Sequence, residues 1–342
     1  MNRLVPALAL LVAAGLPAGS YAAPPAYHVV RRIPVGGEGG WDYLTADPAH
    51  HRVFVSRGSH VMVLDARSGA VAGDIGDTPG VHGIALAPEL DHGFTSNGRD
   101  SSVTMFDLTT LKTLRRVHLD QRGPDAIVYD AVSKRVFTFN GGSNSTTALD
   151  AKSGDVIGTL PLDGRPEFAV SGGDGRMFVN LEDSSAVVAF DARTLKPIAR
   201  WPLAPGDGPS GLAIDRAHHR LFSGCHNRIM VVMDADNGHV VDTLSIGQGV
   251  DATAFDPGTG LAFSSNGDGT LTVAHEDSPD RFTPVAQVPT ERGARTMALD
   301  PDTHHAFLAT AQFGPRPDPT PDNPRPRPPM VPGSFVILEV AP

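Results

Sequence analysis

The hydrophobic positions of this chain fall into short runs separated by Gly, Pro, Asn and Asp, and no long segment carries the 3.6-residue period of an amphipathic helix. The stretch from Ala126 to Leu162 is typical: AIVYD, RVFTFN, STTALD and VIGTLPL predict four consecutive strands joined by tight turns. The pattern repeats. A phenylalanine sits in the second run of each unit, at Phe54, Phe94, Phe137, Phe178, Phe222, Phe263 and Phe307, with spacings of 40, 43, 41, 44, 41 and 44. Seven of the fifteen phenylalanines occupy this one column, so the repeat is not a chance alignment. A second, acidic column closes the third run: Asp65, Asp107, Asp150, Asp191, Asp234 and Glu276. Segments such as VLDARSG, ALDAKSG and VMDADNG read there as a strand entering a turn, with Asp and Gly supplying the turn chemistry.

Four strands in a repeat of roughly 40–45 residues are the signature of a propeller blade. A solenoid would need one or two elements per repeat and polar end caps, and neither is visible. The sequence therefore predicts an all-β, seven-bladed β-propeller with four antiparallel strands per blade. Six units carry their own outer strand. The seventh ends at Ser334–Val340 without one, and residues 28–35 have the texture of the second unit's TLRRVHL. Pairing of 28–35 with 334–340 is expected to close the ring and hide two sheet edges.

The amino terminus changes the picture of where the protein works. Arg3, the apolar run Leu4–Leu16 and the small residues of Ser20-Tyr21-Ala22 have the pattern of a cleavable signal peptide. The run is shorter than the roughly 20 residues of a membrane span, and no Cys nearby suggests lipid attachment. Residues 1–22 are read as a signal peptide and 23–342 as one propeller domain, periplasmic or secreted, expected as a monomer without a membrane span. The formal net charge of −10 favours solubility and disfavours polyanions as general partners. A single cysteine, Cys225, permits no internal disulfide.

Three units read FTSN (Phe94–Asn97), FTFN (Phe137–Asn140) and FSSN (Phe263–Asn266), each followed by a strand ending in an acidic residue and a turn. With the signal peptide, this resembles the YVTN-repeat, YncE-like family of exported bacterial propellers across essentially the whole mature chain. The resemblance implies a soluble exported ring without an agreed enzymatic reaction, and single-stranded DNA binding in some members. Arg57, Leu181, Cys225 and Thr310 replace the asparagine in the other four units.

In a propeller the loops leading into the innermost strand and those joining the second and third strands share one face near the axis. The former carry Trp41, Asp42, His82, Asp125, Glu167, Ser210, Asp251 and Arg295; the latter carry Arg57, Asn97, Asn140, Asn180, Glu182, Cys225, Asn227, Asn266 and Asp268. Variation of functional groups at fixed geometry reads as a shaped polar funnel that binds a ligand; wet, unconstrained loop tips are the alternative. Residues 314–333 are an insertion with nine prolines between Gly314 and Gly333, stiff by composition and projecting from the same face. It reads as a rim or lid with Arg316, Arg325 and Arg327 toward the acidic ring, or else as a solvated tether.

Several chemistries compete for this funnel. His82, Asp125, Glu167 and Asp251 could hold Ca²⁺ or Mg²⁺, or Zn²⁺ through the histidine, unless neighbouring blades keep them too far apart for one ion. Arg57, Arg295 and the insertion arginines, with Trp41, Phe139 and Phe168 for stacking, could take single-stranded nucleic acid, against the net charge. Cys225 reads as a small buried hydrophobe or as a reactive thiol beside His226. The pairs His50-His51, His218-His219 and His304-His305 recur at one turn on the opposite face and read as echoes of the repeat. No G-x-S-x-G elbow is present, and the Gly-rich stretches lead into no helix that could cradle phosphate. The expectation is a binding or interaction protein for a small polar molecule, a peptide or an envelope protein. The alternative is a divalent-metal-dependent lactonase, hydrolase or lyase using the same funnel.

Overall fold

The computed structural model describes residues 26–342 apart from 38, 321, 322, 325 and 327. The segment read as a signal peptide, and with it Arg325 and Arg327, lies outside the described residues. The strands form seven four-stranded antiparallel sheets. The innermost strands of blades one to seven are Leu44–Asp47, Val81–Ala87, Pro124–Asp130, Pro166–Ser171, Pro209–Asp215, Val250–Asp256 and Thr296–Asp300. No helix among the described residues is long and apolar enough to cross a membrane.

Closure follows the sequence expectation, with bounds shifted slightly. His28–Pro34 is the outermost strand of blade seven and pairs antiparallel with Val336–Ala341, from His28 opposite Ala341 to Pro34 opposite Val336. Arg31 ties the seam to the next blade: its Nε donates to Glu339 at 2.6 Å, and its other nitrogens donate to the carbonyls of Ala66 and Arg67 in blade one.

The second and third strands of each blade are buried on both faces because neighbouring blades cover them; Arg135–Asn140 and Ser145–Asp150 are almost wholly buried, while the outer strand Thr113–His118 is mostly exposed. The phenylalanine column fills the space between blades, at 0–2 % exposure in all seven units. The acidic column caps the outer turns: Asp65, Asp107, Asp150 and Asp191 each accept the backbone N–H three residues on. An arginine at the start of the second strand crosses to the adjacent blade, where Arg52, Arg135 and Arg176 donate to the carbonyls of Leu108, Ala192 and Ala235. Side-chain packing and these staples thus fix the blades around one axis.

Candidate functional site

The loops entering the innermost strands converge as the repeat predicts. Asp42, Asp125, Glu167, Ser210, Asp251 and Arg295, from different blades, line one polar cavity of about 220 Å³, joined by Glu182 and His226 from the loops after the second strands. Tyr43 and Phe168 form its floor, stacked with ring centroids 4.9 Å apart. Beneath them the channel is a different environment: the lower ends of the innermost strands line a cavity of about 650 Å³ with residues such as Val170, Leu212, Met297 and Leu299.

Five carboxyl groups face two guanidinium groups in the upper cavity. Arg165 lies 3.0 Å from Glu182 and 3.8 Å from Glu167, and Arg295 lies 3.3 Å from Asp251. If all five were ionised, negative charge would be in excess, and the carboxyls, from 12 % exposed at Asp251 to 30 % at Asp42, are only partly hydrated. Burial, reinforced by neighbouring carboxylates, pushes Glu167 up to about 8 and Asp251 to about 7, with Arg295 partly offsetting the latter. Asp125 rises to about 6, chiefly by burial, with His82 opposing the rise. One oxygen of Glu167, Oε2, is buried without a hydrogen bond. Tyr43 is held well above the ordinary phenol value by burial and then by Asp125 and Glu167.

On the rim, His82 Nδ1 contacts Asp42 at 2.5 Å and Asp125 at 3.6 Å. Burial alone would depress His82, but the Asp42 hydrogen bond and the surrounding carboxylates hold it above the usual imidazole value. The ring lies against Gly98, where a Cβ would sit 2.7 Å from Nε2, so this glycine makes room for the histidine. The metal set read from sequence is brought together only in part. The ligating atoms of Asp42, His82 and Asp125 lie within 4.8 Å of one another, whereas Glu167 and Asp251 are not in that group.

Six residues assigned to the funnel do not face it. Asn97, Asn140 and Asn266 are fully buried and hold the second and third strands together. Asn140 Nδ2 donates to Ser145 and Thr147 while its Oδ1 accepts from Thr138; Asn266 Nδ2 donates to Thr270 and Thr272 and its Oδ1 accepts from Ser264. The T/S-x-N pattern is thus half of a motif whose other half is the S/T-x-T opening the next strand. Asn180 is buried too, donating to the carbonyls of Ser210 and Gly211 in blade five and accepting from Ser223. Cys225 is fully buried, and burial pushes its thiol up to about 12, so it is a core residue and not a reactive thiol. Arg57 is 1 % exposed and lies over the Phe335 ring at 3.7 Å. Asn227 is exposed on the rim, where it binds the backbone of Pro205 and Asp207. Phe139 is in the core and Phe168 in the floor, so the stacking platform drawn from sequence does not form.

The insertion is tied down at its base, with Gly314 N–H donating to Pro329 at 2.8 Å and Val331 N–H to Gln312 at 2.8 Å. Phe313, just before it, and its own Pro328 and Met330 close a second cavity of about 580 Å³ against Trp41, Arg292 and Arg295. Trp41 therefore belongs to this neighbouring space, and Arg295 is the wall that the two cavities share. Arg316 is exposed and lines neither cavity. The features missed by sequence were Tyr43 and Arg165; the former follows Trp41-Asp42 directly, and the latter precedes Pro166-Glu167 in the same loop.

Solved structures bear on the fold alone. The chain is similar to a propeller in the crystal structure of the mitotic checkpoint complex, at 18 % identity and TM-score 0.71, covering 90 % of this chain and 96 % of that one. It is similar to the RRP9 WD40 repeats at 9 % identity and TM-score 0.75, covering 93 % and 99 %. Kuenenia stuttgartiensis hydrazine synthase matches at 14 % identity and TM-score 0.69, covering 86 % and 96 %. No family model matches the sequence, and no curated protein matches it. The chain is a seven-bladed β-propeller, the fold that these structures share with it.

Proposed function

We propose that this is an exported binding protein whose central cavity takes the positively charged group of a small polar ligand or of a peptide. One observation carries the reading: five carboxyl groups from separate loops surround a cavity of about 220 Å³ that contains only two guanidinium groups. At roughly 30 Å³ per water, the space suits an ammonium or guanidinium group with a few waters, not a folded segment. Buried carboxyls that resist ionisation are charged once a cation sits among them. The adjoining cavity under the insertion, with Trp41, Phe313 and Met330, offers an apolar surface for the remainder of the ligand. Export rests on the residue pattern of 1–22 and on the YncE-like resemblance.

The test is a thermal-shift series at pH 8 with guanidinium-bearing and ammonium-bearing compounds and Lys- or Arg-ended peptides, against neutral analogues of equal size. Stabilisation confined to the cations, and lost in Glu167→Gln/Asp251→Asn, supports the proposal. Equal response to cations and neutral analogues contradicts it.

A second reading, a divalent ion on the rim, is favoured by the proximity of Asp42, His82 and Asp125. It is the arrangement that a metal-dependent hydrolase, lactonase or lyase would require. Near-stoichiometric Ca, Mg or Zn in protein purified without chelator, lost in Asp125→Asn, supports it; absence of metal together with no thermal shift on adding these ions contradicts it.

A further inference from the structure

The histidine-bearing turns on the face opposite the acidic pocket are not all alike. In blade one His50 Nδ1 meets Asp47 at 2.8 Å, and His304 meets Asp256 of the preceding blade at 2.7 Å. Both are simple Asp–His contacts that brace a turn. In blade five His218 Nδ1 meets Asp215 at 2.7 Å, but a third group joins them: Glu276 Oε1 of blade six, 2.9 Å from the same nitrogen.

Glu276 is the odd member of the acidic column. Asp65, Asp107, Asp150 and Asp191 spend their carboxylates on the turn that follows. In blade six the third strand runs on to Ser278, past the column position, so no such turn begins at Glu276. Its longer side chain crosses toward blade five instead. Its side chain is only 6 % exposed, and Oε1 makes no well-aligned hydrogen bond, its nearest donor being His218 Nδ1 at 2.9 Å. The nitrogen it faces is already engaged by Asp215, which is itself only 2 % exposed. Two buried carboxyls and one imidazole therefore converge with one acceptor unsatisfied, and their ligating atoms lie within 4.8 Å of one another. Half-exposed His218 opens onto a cleft of about 410 Å³, which gives an ion a way in and room for water.

We propose that Asp215, His218 and Glu276 form a divalent transition-metal site of the Zn²⁺ class that bridges blades five and six. Two carboxylate oxygens and one imidazole nitrogen are a donor set for Zn²⁺, with ligand distances of roughly 2.0–2.2 Å, and the mixed set disfavours Ca²⁺, which wants six to eight oxygens. Three protein ligands leave a fourth position for water from the cleft. The bound ion would satisfy Glu276 Oε1 and remove the repulsion between the two carboxylates, while His218 would bind as the neutral imidazole. The site is independent of the acidic cavity, which lies at the other end of the innermost strands.

The experiment is a titration of the metal-stripped full chain with Zn²⁺, followed by calorimetry, and with Co²⁺, followed by its visible spectrum. The expected result is one equivalent bound, with Co²⁺ bands of low coordination number. Affinity falls at least ten-fold in both Glu276→Gln and His218→Ala and is unchanged in His50→Ala. His218→Ala removes a half-exposed side chain, so it remains informative if Glu276→Gln does not fold. Absence of Zn²⁺ and Co²⁺ binding overturns the proposal, as does binding that both Glu276→Gln and His218→Ala leave intact. Loss of binding in Asp125→Asn alone assigns the ion to the rim of the acidic cavity and overturns it equally.

Discussion

Tyr43 and Phe168 stack across the central channel, their rings 4.9 Å apart and inclined by 27°. Tyr43 precedes the first strand of blade one and Phe168 belongs to the innermost strand of blade four, so the pair spans the axis. It lies between the acidic cavity and the apolar one below. Phe168→Ala should open this floor, costing about 3 kcal/mol of stability. With water admitted, the Glu167 midpoint should fall from about 8 toward the ordinary carboxyl range. Tyr43→Phe keeps the stack and should preserve the raised midpoint. Carboxyl ¹³C chemical shifts followed over pH separate the two variants, and an unchanged Glu167 midpoint in Phe168→Ala would deny the floor its role.

The same carboxyls make stability depend on pH in an unusual direction. Glu167, Asp251 and Asp125 hold their protons in the folded chain at pH values where the unfolded chain has released them. Where the folded state binds more protons, stability falls as pH rises. Their contribution is therefore present below the unfolded values near pH 4 and is lost as pH climbs through about 6, 7 and 8. Each group costs on the order of 1.4 kcal/mol per pH unit within its own window. Urea midpoints should decline from pH 5 to pH 8.5, and Glu167→Gln should flatten the upper part of that decline. A profile rising across this range would contradict the assignment.

Asn140 ends the second strand of blade three and Asn227 lies two residues beyond that of blade five, and the two should behave oppositely. Asn140→Ala strands the hydroxyls of Thr138, Ser145 and Thr147 in the core, a loss of about 3 kcal/mol. Asn227→Ala removes only exposed contacts to the Pro205 and Asp207 backbone and should change stability by less than about 1 kcal/mol. Chemical denaturation of the two variants decides the comparison.

Arg31 joins three segments at the seam, reaching Glu339, Ala66 and Arg67. Arg31→Ala should cost about 2 kcal/mol, because Glu339 stays buried with its main cationic partner gone. Removing residues up to Pro34 exposes the edge of Val336–Ala341 and should make the protein aggregate, read by light scattering.

The repeat was legible because the ring enforces it. Each Phe fills an equivalent gap between blades and each Asp caps an equivalent turn, so spacing alone located strands, blade number and closing seam. The acidic convergence followed from the same register, which brought Asp42, Asp125, Glu167 and Asp251 to one end of the innermost strands. What did not follow was side-chain direction one residue at a time. Asn140, Asn180 and Asn266 lie at the ends of second strands that reach the right face, yet they turn inward to hydroxyls or backbone carbonyls that a linear reading does not pair with them. Cys225 and Arg57 turn inward as well. Contacts between side chains of different blades, such as Tyr43 with Phe168 or His218 with Glu276, have no fixed sequence separation and therefore leave no periodic signal.

The reading of the acidic cavity stands on desolvated carboxyls from different blades sensing one another. Site-resolved ¹³C titration of Glu167 in the parent chain and in Asp251→Asn addresses this directly. A midpoint near 8 in the parent, moving down when the Asp251 charge is removed, is the predicted result. A midpoint in the ordinary range near 4.5, indifferent to Asp251, would show that the groups are hydrated and separate and that no shared cation receptor exists.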